Sequence, residues 1–440
     1  MISVIQQFLA KDNLRIRFFK DAGGSFVIQT AFAGFSFLNA VVFARIMGAI
    51  NYGAFANAMA WVSILVILAT FGFTTLIVRD ISIYNSKREW PLLRGLLRFS
   101  DRFVLILALL IALVVFLIAG VIFNQPDQAI MRGTLRVAVF FVPLFSLLSL
   151  RQEALRGLEH IIPAQLPALF FRPGFLFIGV LLLYFLWPED LTAPLAMGVN
   201  LLAAFLGLGI SALWLRKYLP AIIREVQPQY QPKPWLKSAA PMMVYSGTQM
   251  ALGQMDIVLL GILCTASDVG IYAAATKIAY ILFYLMFAAE VVLAPIIARL
   301  YANGEKSRLQ KMLTKVVRTA FIFAIFLGIF FIILGKYILG LFGEEFILAH
   351  PALIALVIGR LAHVALGPGP LLLSMTGYER TVANVMVLAV LGNIAINLIL
   401  IPIYGIVGAA VTSALTIIIM RGGLSIFAVK KTGLRVTLFG

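Results

Sequence analysis

Long apolar runs follow one another along almost the whole chain, separated by short polar connections. A window of roughly 20 residues per bilayer crossing resolves them into twelve helices. These lie at 24–47, 54–78, 103–123, 134–151, 163–187, 194–215, 239–263, 271–298, 317–335, 351–375, 382–402 and 405–428. The pattern predicts an all-α polytopic membrane protein. The stretch "KDNLRIRFFKDAGG" before the first run predicts an amphipathic helix on the membrane surface over residues 1–22. A cleavable leader is not expected, because the apolar run behind it is too long and lacks a small-residue cleavage site.

The most polar interior stretch, "LRKYLPAIIREVQPQYQPKPWLKSAA", contains four prolines and reads as a linker. Placed at 218–238, it divides the chain into an N-lobe (23–217) and a C-lobe (239–429) of six spans each, with a tail at 430–440. Internal echoes support the division. "LRGLEH" around Gly157 and Glu159 returns as "MTGYER" around Gly377 and Glu379, and Arg79 returns as Arg299, both after 220 residues. "NYGAFANA" at 51–58 returns as "DVGIYAAA" at 268–275, after 217 residues. Copies with an even number of spans enter the membrane in one orientation, so a pseudo-two-fold axis along the membrane normal is expected, with substrate between the lobes.

Composition agrees: 62% hydrophobic and 12% charged residues exclude an ordinary soluble domain. The net charge of +17 would suggest nucleic acid in a soluble protein, but here it follows topology. Of 35 Lys and Arg, 27 fall in the two terminal segments and in alternate connections, while the other six connections hold only Arg132 and Lys336. The positive-inside rule then makes both termini cytoplasmic and anionic membrane lipids the expected partners of the basic loops. Cys264 is the single cysteine, so no intrachain disulfide is expected.

Six cations lie inside the predicted spans: Arg45, Arg136, Arg172, Lys277, Arg360 and Arg421. Lys277, in "GIYAAATKIAYILFYLMFAAEVV", stands about 10 Å into span 8. Either its stem snorkels to the surface or it meets Asp256 across the hairpin of spans 7 and 8. Tyr280 and Tyr284 share its face, and Tyr245 and Gln249 share the face of Asp256. Two polar-aromatic faces would then oppose one another, as a cavity lining or as a hydrogen-bonded seam. Glu290 points elsewhere, toward a gate or an interface. Arg172 lies near mid-membrane, too deep for easy snorkelling, seven residues after Gln165 and on its face. Arg360 and His363 form a second candidate pair.

Beyond them, "GPGP" (Gly367, Pro368, Gly369, Pro370) cannot continue a regular helix and predicts a hinge or a kink in span 10. Arg45 and Arg136 sit near span ends, as anchors or as cavity cations. Asn39, Asn57, Asn200, Asn393 and Asn397 supply uncharged donors and acceptors suited to sugar hydroxyls or to joining helices.

Catalytic signatures are lacking. His160, His350 and His363 have no metal-ligand spacing, and no phosphate-cradling loop or ATPase motif occurs. No cofactor or metal is expected, and transport energy would come from an H⁺ or Na⁺ gradient, the membrane potential or the substrate gradient. Short connections leave little room for the outer domain of a glycan polymerase or ligase. The excess of interior cations favours an anionic cargo. A charge-coupled exporter of organic cations is the alternative, and it would use inward carboxylates such as Asp256 and Glu290.

The stretches "ARIMGAINYGAFANA", "GFTTLIVRDIS", "DIVLLGILCTASDVGIYAAATKIA" and "IPIYGIVGAAVTSAL" resemble the polysaccharide flippases of the multidrug/oligosaccharidyl-lipid/polysaccharide superfamily. The resemblance covers nearly the whole chain. It implies the MATE-like fold, a V-shaped pair of six-helix lobes. It also implies a bacterial inner-membrane flippase that carries undecaprenyl-pyrophosphate-linked glycan, such as O-antigen or exopolysaccharide repeat units, to the periplasmic leaflet. A polysaccharide polymerase and other assembly proteins would be partners. Arg172 and Lys277 match positions where the family carries charge, which implies contact with pyrophosphate or acidic sugars. The two further spans of the lipid II flippases are not expected after "KKTGLRVTLFG".

Overall fold

The computed structural model describes the backbone of residues 2–186 and 191–438, and side chains from residue 32 onward except Asp127, Leu285, Ala288, Val291, Val292 and Pro295. The amphipathic face expected over 1–22 lies outside the described side chains. Among the described residues every regular element is helical: α1 (Ile2–Thr70), α2 (Phe73–Lys87), α3 (Trp90–Ile122), α4 (Ala129–Ala138), α5 (Phe141–Gly157), α6 (Ile161–Leu166), α7 (Arg172–Leu186) and α8 (Ala193–Tyr218), then α9 (Pro232–Leu263), α10 (Ala266–Ala302), α11 (Lys306–Gly340), α12 (His350–Ala365), α13 (Gly369–Met375) and α14 (Glu379–Thr432).

Seven stretches of the described residues are long and apolar enough to cross a membrane, and eight when α4 and α5, bent by 43°, count as one span. Two of the seven are double. α1 reverses at Gly48 (φ 68, ψ 170) and α14 at Gly405 (φ 56, ψ −133), backbone conformations that glycine adopts without a Cβ penalty. α9 and α10, which carry Asp256 and Lys277, complete the twelve crossings. The protein is therefore a multi-pass membrane protein of two six-helix lobes.

Packing differs between the two ends of the bundle. At the end carrying the turns near Gly48, Cys264 and Leu341, one apolar core joins both lobes, from Ala44, Ala54 and Ala58 of α1 to Ala274, Ile278 and Leu282 of α10. At the opposite end, which holds the basic connections, each lobe has a core of its own. One contains Phe73, Leu96 and Leu155, the other Ile297, Leu313 and Leu373. The lobes are thus fused at one end, the seam, and parted at the basic end.

The seam depends on two glycines. A Cβ on Gly53 would lie 1.8 Å from the Ala266 carbonyl oxygen, and one on Gly270 would lie 2.2 Å from that of Ala49. These are the paired glycines of the 51–58 and 268–275 echo, so the repeats touch at equivalent residues. Polar contacts reinforce the join. Asn57 Nδ2 donates to the Ile257 carbonyl at 2.7 Å, Gln128 Nε2 to that of Ile262 at 3.2 Å, and the Ala49 N–H to Glu345 Oε1 at 2.5 Å. Buried amide groups have to be paired, so these bonds also fix the register between the lobes.

The polar linker is fastened to the N-lobe. The Gln229 N–H donates to the Pro91 carbonyl at 2.9 Å, Arg94 bonds the Val226 carbonyl, and Trp235 Nε1 donates to the Tyr84 hydroxyl at 3.2 Å. α9 thereby begins in the N-lobe core with Trp235 and Ala239 and passes Pro241 before its other end joins the core shared by both lobes.

Candidate translocation site

Arg172 opens α7 directly after a single π-turn, Pro167–Phe171. Pro167 and Pro173 bracket that turn, and proline removes backbone donors that an unbroken α-ladder needs. The widened turn rotates α7 relative to α6, so the seven-residue spacing no longer sets Gln165 and Arg172 on one face. Gln165 is buried on the other side of the π-turn in the chain, and the shared face expected from spacing is lost. Arg172 instead donates from Nη1 to Asn200 Oδ1 of α8 at 3.2 Å. Its guanidinium lies 5.6 Å and 5.3 Å from the ring centroids of Phe141 and Phe145. Aromatic faces contribute up to about 2 kcal/mol each to a desolvated cation. The Nε remains without a partner.

Lys277 projects from α10 with an exposed side chain, and Arg172 acts on it by charge repulsion. Arg172 of the N-lobe and Lys277 of the C-lobe are therefore close enough for their charges to interact. The expected Lys277–Asp256 pair does not form. Tyr272, Thr276, Ala279 and Tyr280 make the α10 face that meets Asp256, and Lys277 is one residue, about 100°, around the helix from Thr276.

Asp256 turns into the C-lobe, where neutral donors surround it. Oδ1 accepts from Asn397 Nδ2 at 2.7 Å and Asn393 Nδ2 at 3.3 Å, and Oδ2 accepts from the Tyr272 hydroxyl at 3.1 Å and from Ser413. Asn393 also donates to Thr416 at 3.2 Å. A cavity of about 330 Å³, open mouth included, adjoins the carboxylate and is lined in part by Gly253, Tyr280 and Arg360. Arg360 lies 4.7 Å from the Tyr280 ring centroid and 5.5 Å from that of Phe283. Among the described residues Asp256 has no ion pair, so the full cost of burying a carboxylate falls on hydrogen bonds.

The other expected site residues separate. Glu290 pairs with Arg421 at 3.2 Å rather than standing as a free gate, and Arg421 also donates to the Gly367 carbonyl at 2.9 Å. Tyr245 and Gln249 are exposed on α9, while Asp256 at the same nominal periodicity is buried. The opposed faces expected of spans 7 and 8 are therefore not one lining. Tyr280 belongs to the Asp256 cavity and Tyr284 lies a turn beyond it, half-buried. His363 is buried edge-on to Phe283, 5.4 Å between ring centroids, and its Nε2 has no partner. Arg45 is exposed at the seam, three residues before Gly48, and donates to the Leu341 carbonyl at 3.4 Å. That position is at the turns and not beside Arg172 and Lys277. Asn39 is buried with its Oδ1 unpartnered. Gly367 takes φ +70 and Pro368 and Gly369 open α13, so span 10 is broken where "GPGP" predicts.

Sequence reasoning left Tyr272 and Ser413 out of the site and gave Asn200, Asn393 and Asn397 no specific partner. One signal was available: Asn393 and Asn397 are four residues apart on one helical face.

Comparison with known proteins places this architecture. Residues 18–301 match the polysaccharide biosynthesis protein family, and residues 241–403 match the MatE family. The chain is 25% identical over 405 residues to a probable low-salt glycan biosynthesis flippase, Agl15, of Haloferax volcanii, covering 89% of this chain and 79% of that protein. It is 22% identical over 402 residues to the uncharacterized membrane protein MJ1068 of Methanocaldococcus jannaschii, covering 88% and 79%. Its fold is similar to an inward-facing multidrug resistance MATE family transporter of the MOP superfamily (TM-score 0.75, 12% identity, 93% of this chain and 98% of the other). It is also similar to the inward closed lipid II flippase MurJ (TM-score 0.73, 14% identity, 92% and 87%). The family match spans well over half of the chain, and these families are secondary transporters rather than enzymes: the chain belongs to the polysaccharide biosynthesis protein family of membrane transporters.

Proposed function

We propose that the protein flips lipid-linked oligosaccharide repeat units, carried on undecaprenyl pyrophosphate, from the cytoplasmic to the outer leaflet by alternating access between its lobes. One observation carries the reading: Arg172 of the N-lobe and Lys277 of the C-lobe lie close enough to repel one another, with no acidic partner for either among the described residues. Two unpaired cations in a cleft repel each other until an anion enters, and a pyrophosphate between them would relieve that repulsion. The charge asymmetry of the connections supports a cytoplasmic position for the parted basic end, in a bacterial inner membrane on this reading, with the site open to the leaflet where such a cargo is made.

Asp256 is the proposed coupling group, with H⁺ or Na⁺ as the ion. A buried carboxylate held by neutral donors is relieved by either cation, and Asn393, Asn397, Ser413 and Tyr272 supply the polar oxygens and donors around it.

The test is the leaflet distribution of lipid-linked repeat units in cells lacking the gene. Accumulation in the inner leaflet, inaccessible to an added outside glycosidase and reversed by the gene, is the expected result. The lipid anchor is identified by mass spectrometry in the same extracts. An unchanged lipid distribution with retention of a cationic dye would favour export of organic cations, the reading that the MatE match admits.

A further inference from the structure

The break in span 10 leaves three consecutive carbonyls, those of Ala365, Leu366 and Gly367, beyond the regular ladder of α12; Pro370 has no N–H to return to Leu366. Each is capped from elsewhere in the chain. Arg421 Nη1 donates to Gly367 at 2.9 Å and Ser425 Oγ to Leu366 at 2.9 Å, both from α14. The third cap is the N–H of Leu438, which donates to Ala365 at 2.8 Å.

The segment that delivers Leu438 runs extended beside α11. Lys306 Nζ donates to the Thr432 carbonyl at 3.1 Å, Gln310 exchanges two bonds with Arg435 at 2.7 and 2.8 Å, and Arg318 Nε donates to the Leu438 carbonyl at 3.3 Å. From Lys306 to Arg318 the helix rises about 18 Å, and from Thr432 to Leu438 an extended chain covers about 20 Å. The two therefore remain in step along their whole length. Leu434 and Val436 are buried in the basic-end core of the C-lobe. Gly367 meets this segment so closely that a Cβ there would lie 1.8 Å from the Val436 carbonyl oxygen.

We propose that residues 433–438 are a strap that ties α11 to the break in span 10 within the C-lobe and must loosen before α12 swings. The inference rests on the alternating-access part of the proposed function and not on the identity of the cargo. α12 carries Arg360 and His363, so the strap controls the position of the groups beside the Asp256 cavity. The segment takes over a backbone bond that the broken helix lost.

The test uses the full chain in nanodiscs with Cys264→Ser and a reporter, Ala49→Cys, which is buried at the seam. Its labelling rate by maleimide is compared among the intact strap, Gln310→Ala, Gly367→Ala and a stop codon after Thr432, with Gly53→Ala as a seam-opening control. The stop variant removes four hydrogen bonds to α11 and α12 and the buried Leu434 and Val436 and is expected to label at least about tenfold faster, and Gln310→Ala less so. Gln310→Ala removes the two bonds to Arg435 and one to Thr314 within α11, and decides the matter if the shortened chain does not fold. Equal rates in all folded strap variants, with Gly53→Ala labelled rapidly, overturn the strap alone. A reporter that stays unlabelled even in Gly53→Ala overturns the strap and the rocking of the lobes together.

Discussion

Each lobe contributes one charge to the candidate site, and the two are accommodated in opposite ways. In the N-lobe, Arg172 rests between two phenyl faces with a single amide partner and keeps an unpaired Nε. In the C-lobe, Asp256 is enclosed by four neutral donors. A site with unused hydrogen-bonding capacity is suited to a ligand that arrives and leaves. An anion already surrounded by donors is suited to a small cation that changes its charge. Duplication makes the contrast sharper. Asn39 stands 217 residues before Asp256, the offset that also relates Gly53 to Gly270, so the N-lobe has an amide where the C-lobe has an acid. Asn39 Oδ1 is unpartnered, whereas every donor around Asp256 is engaged with it.

The contrast breaks first at Asp256. Asp256→Ala should abolish transport and lower stability by about 3 kcal/mol, the cost of stranding several buried donors, as read by vesicle transport and thermal unfolding. Asp256→Asn keeps an acceptor and should remain within about 1 kcal/mol of the parent while still failing to couple transport to an ion gradient. Equal coupling in Asp256→Asn would remove the carboxylate from the mechanism.

Arg172→Ala is next, with transport reduced about a hundredfold, comparable to losing a charge-assisted bond and its aromatic support. Arg172→Lys should recover only part of that loss, because an ammonium does not reproduce a planar guanidinium over Phe141 and Phe145. Lys277→Gln should cost transport about tenfold with stability changed by less than about 0.5 kcal/mol, since an exposed side chain without a partner adds little to the fold. The smallest effect on transport is expected for Asn39→Asp. Burying an unpaired carboxylate should lower the unfolding free energy by about 1–3 kcal/mol without adding a second coupling site. A changed ion stoichiometry in that variant would show that the lobes are more nearly interchangeable than their bonding suggests.

Spacing along the chain was a good guide where helices were regular. The twelve crossings, the break at Gly367 and the paired glycines of the first hairpin of each lobe all follow from apolar run length, proline and glycine chemistry, and repetition. It failed wherever a helix departed from 3.6 residues per turn or a side chain chose among several neighbours. The π-turn at Pro167–Phe171 separated Gln165 from Arg172. Asp256, within reach of a neighbour on either side, turned to Asn393 and Asn397 of α14, more than a hundred residues away in sequence, and left Lys277 exposed. Arg421 found Glu290 and a freed carbonyl, neither of which its neighbours Gly422 and Gly423 announce.

By itself the sequence determined that this chain crosses a membrane many times in two similar halves, because the cost of unpaired backbone groups in lipid leaves long apolar runs almost no other structure. It also determined the sign of the interior charge, since cations outnumber acids in the spans. Which charges meet was decided only by the tertiary structure. Attraction between groups depends on distance and on the polarity between them, and both are set when helices remote in sequence pack side by side.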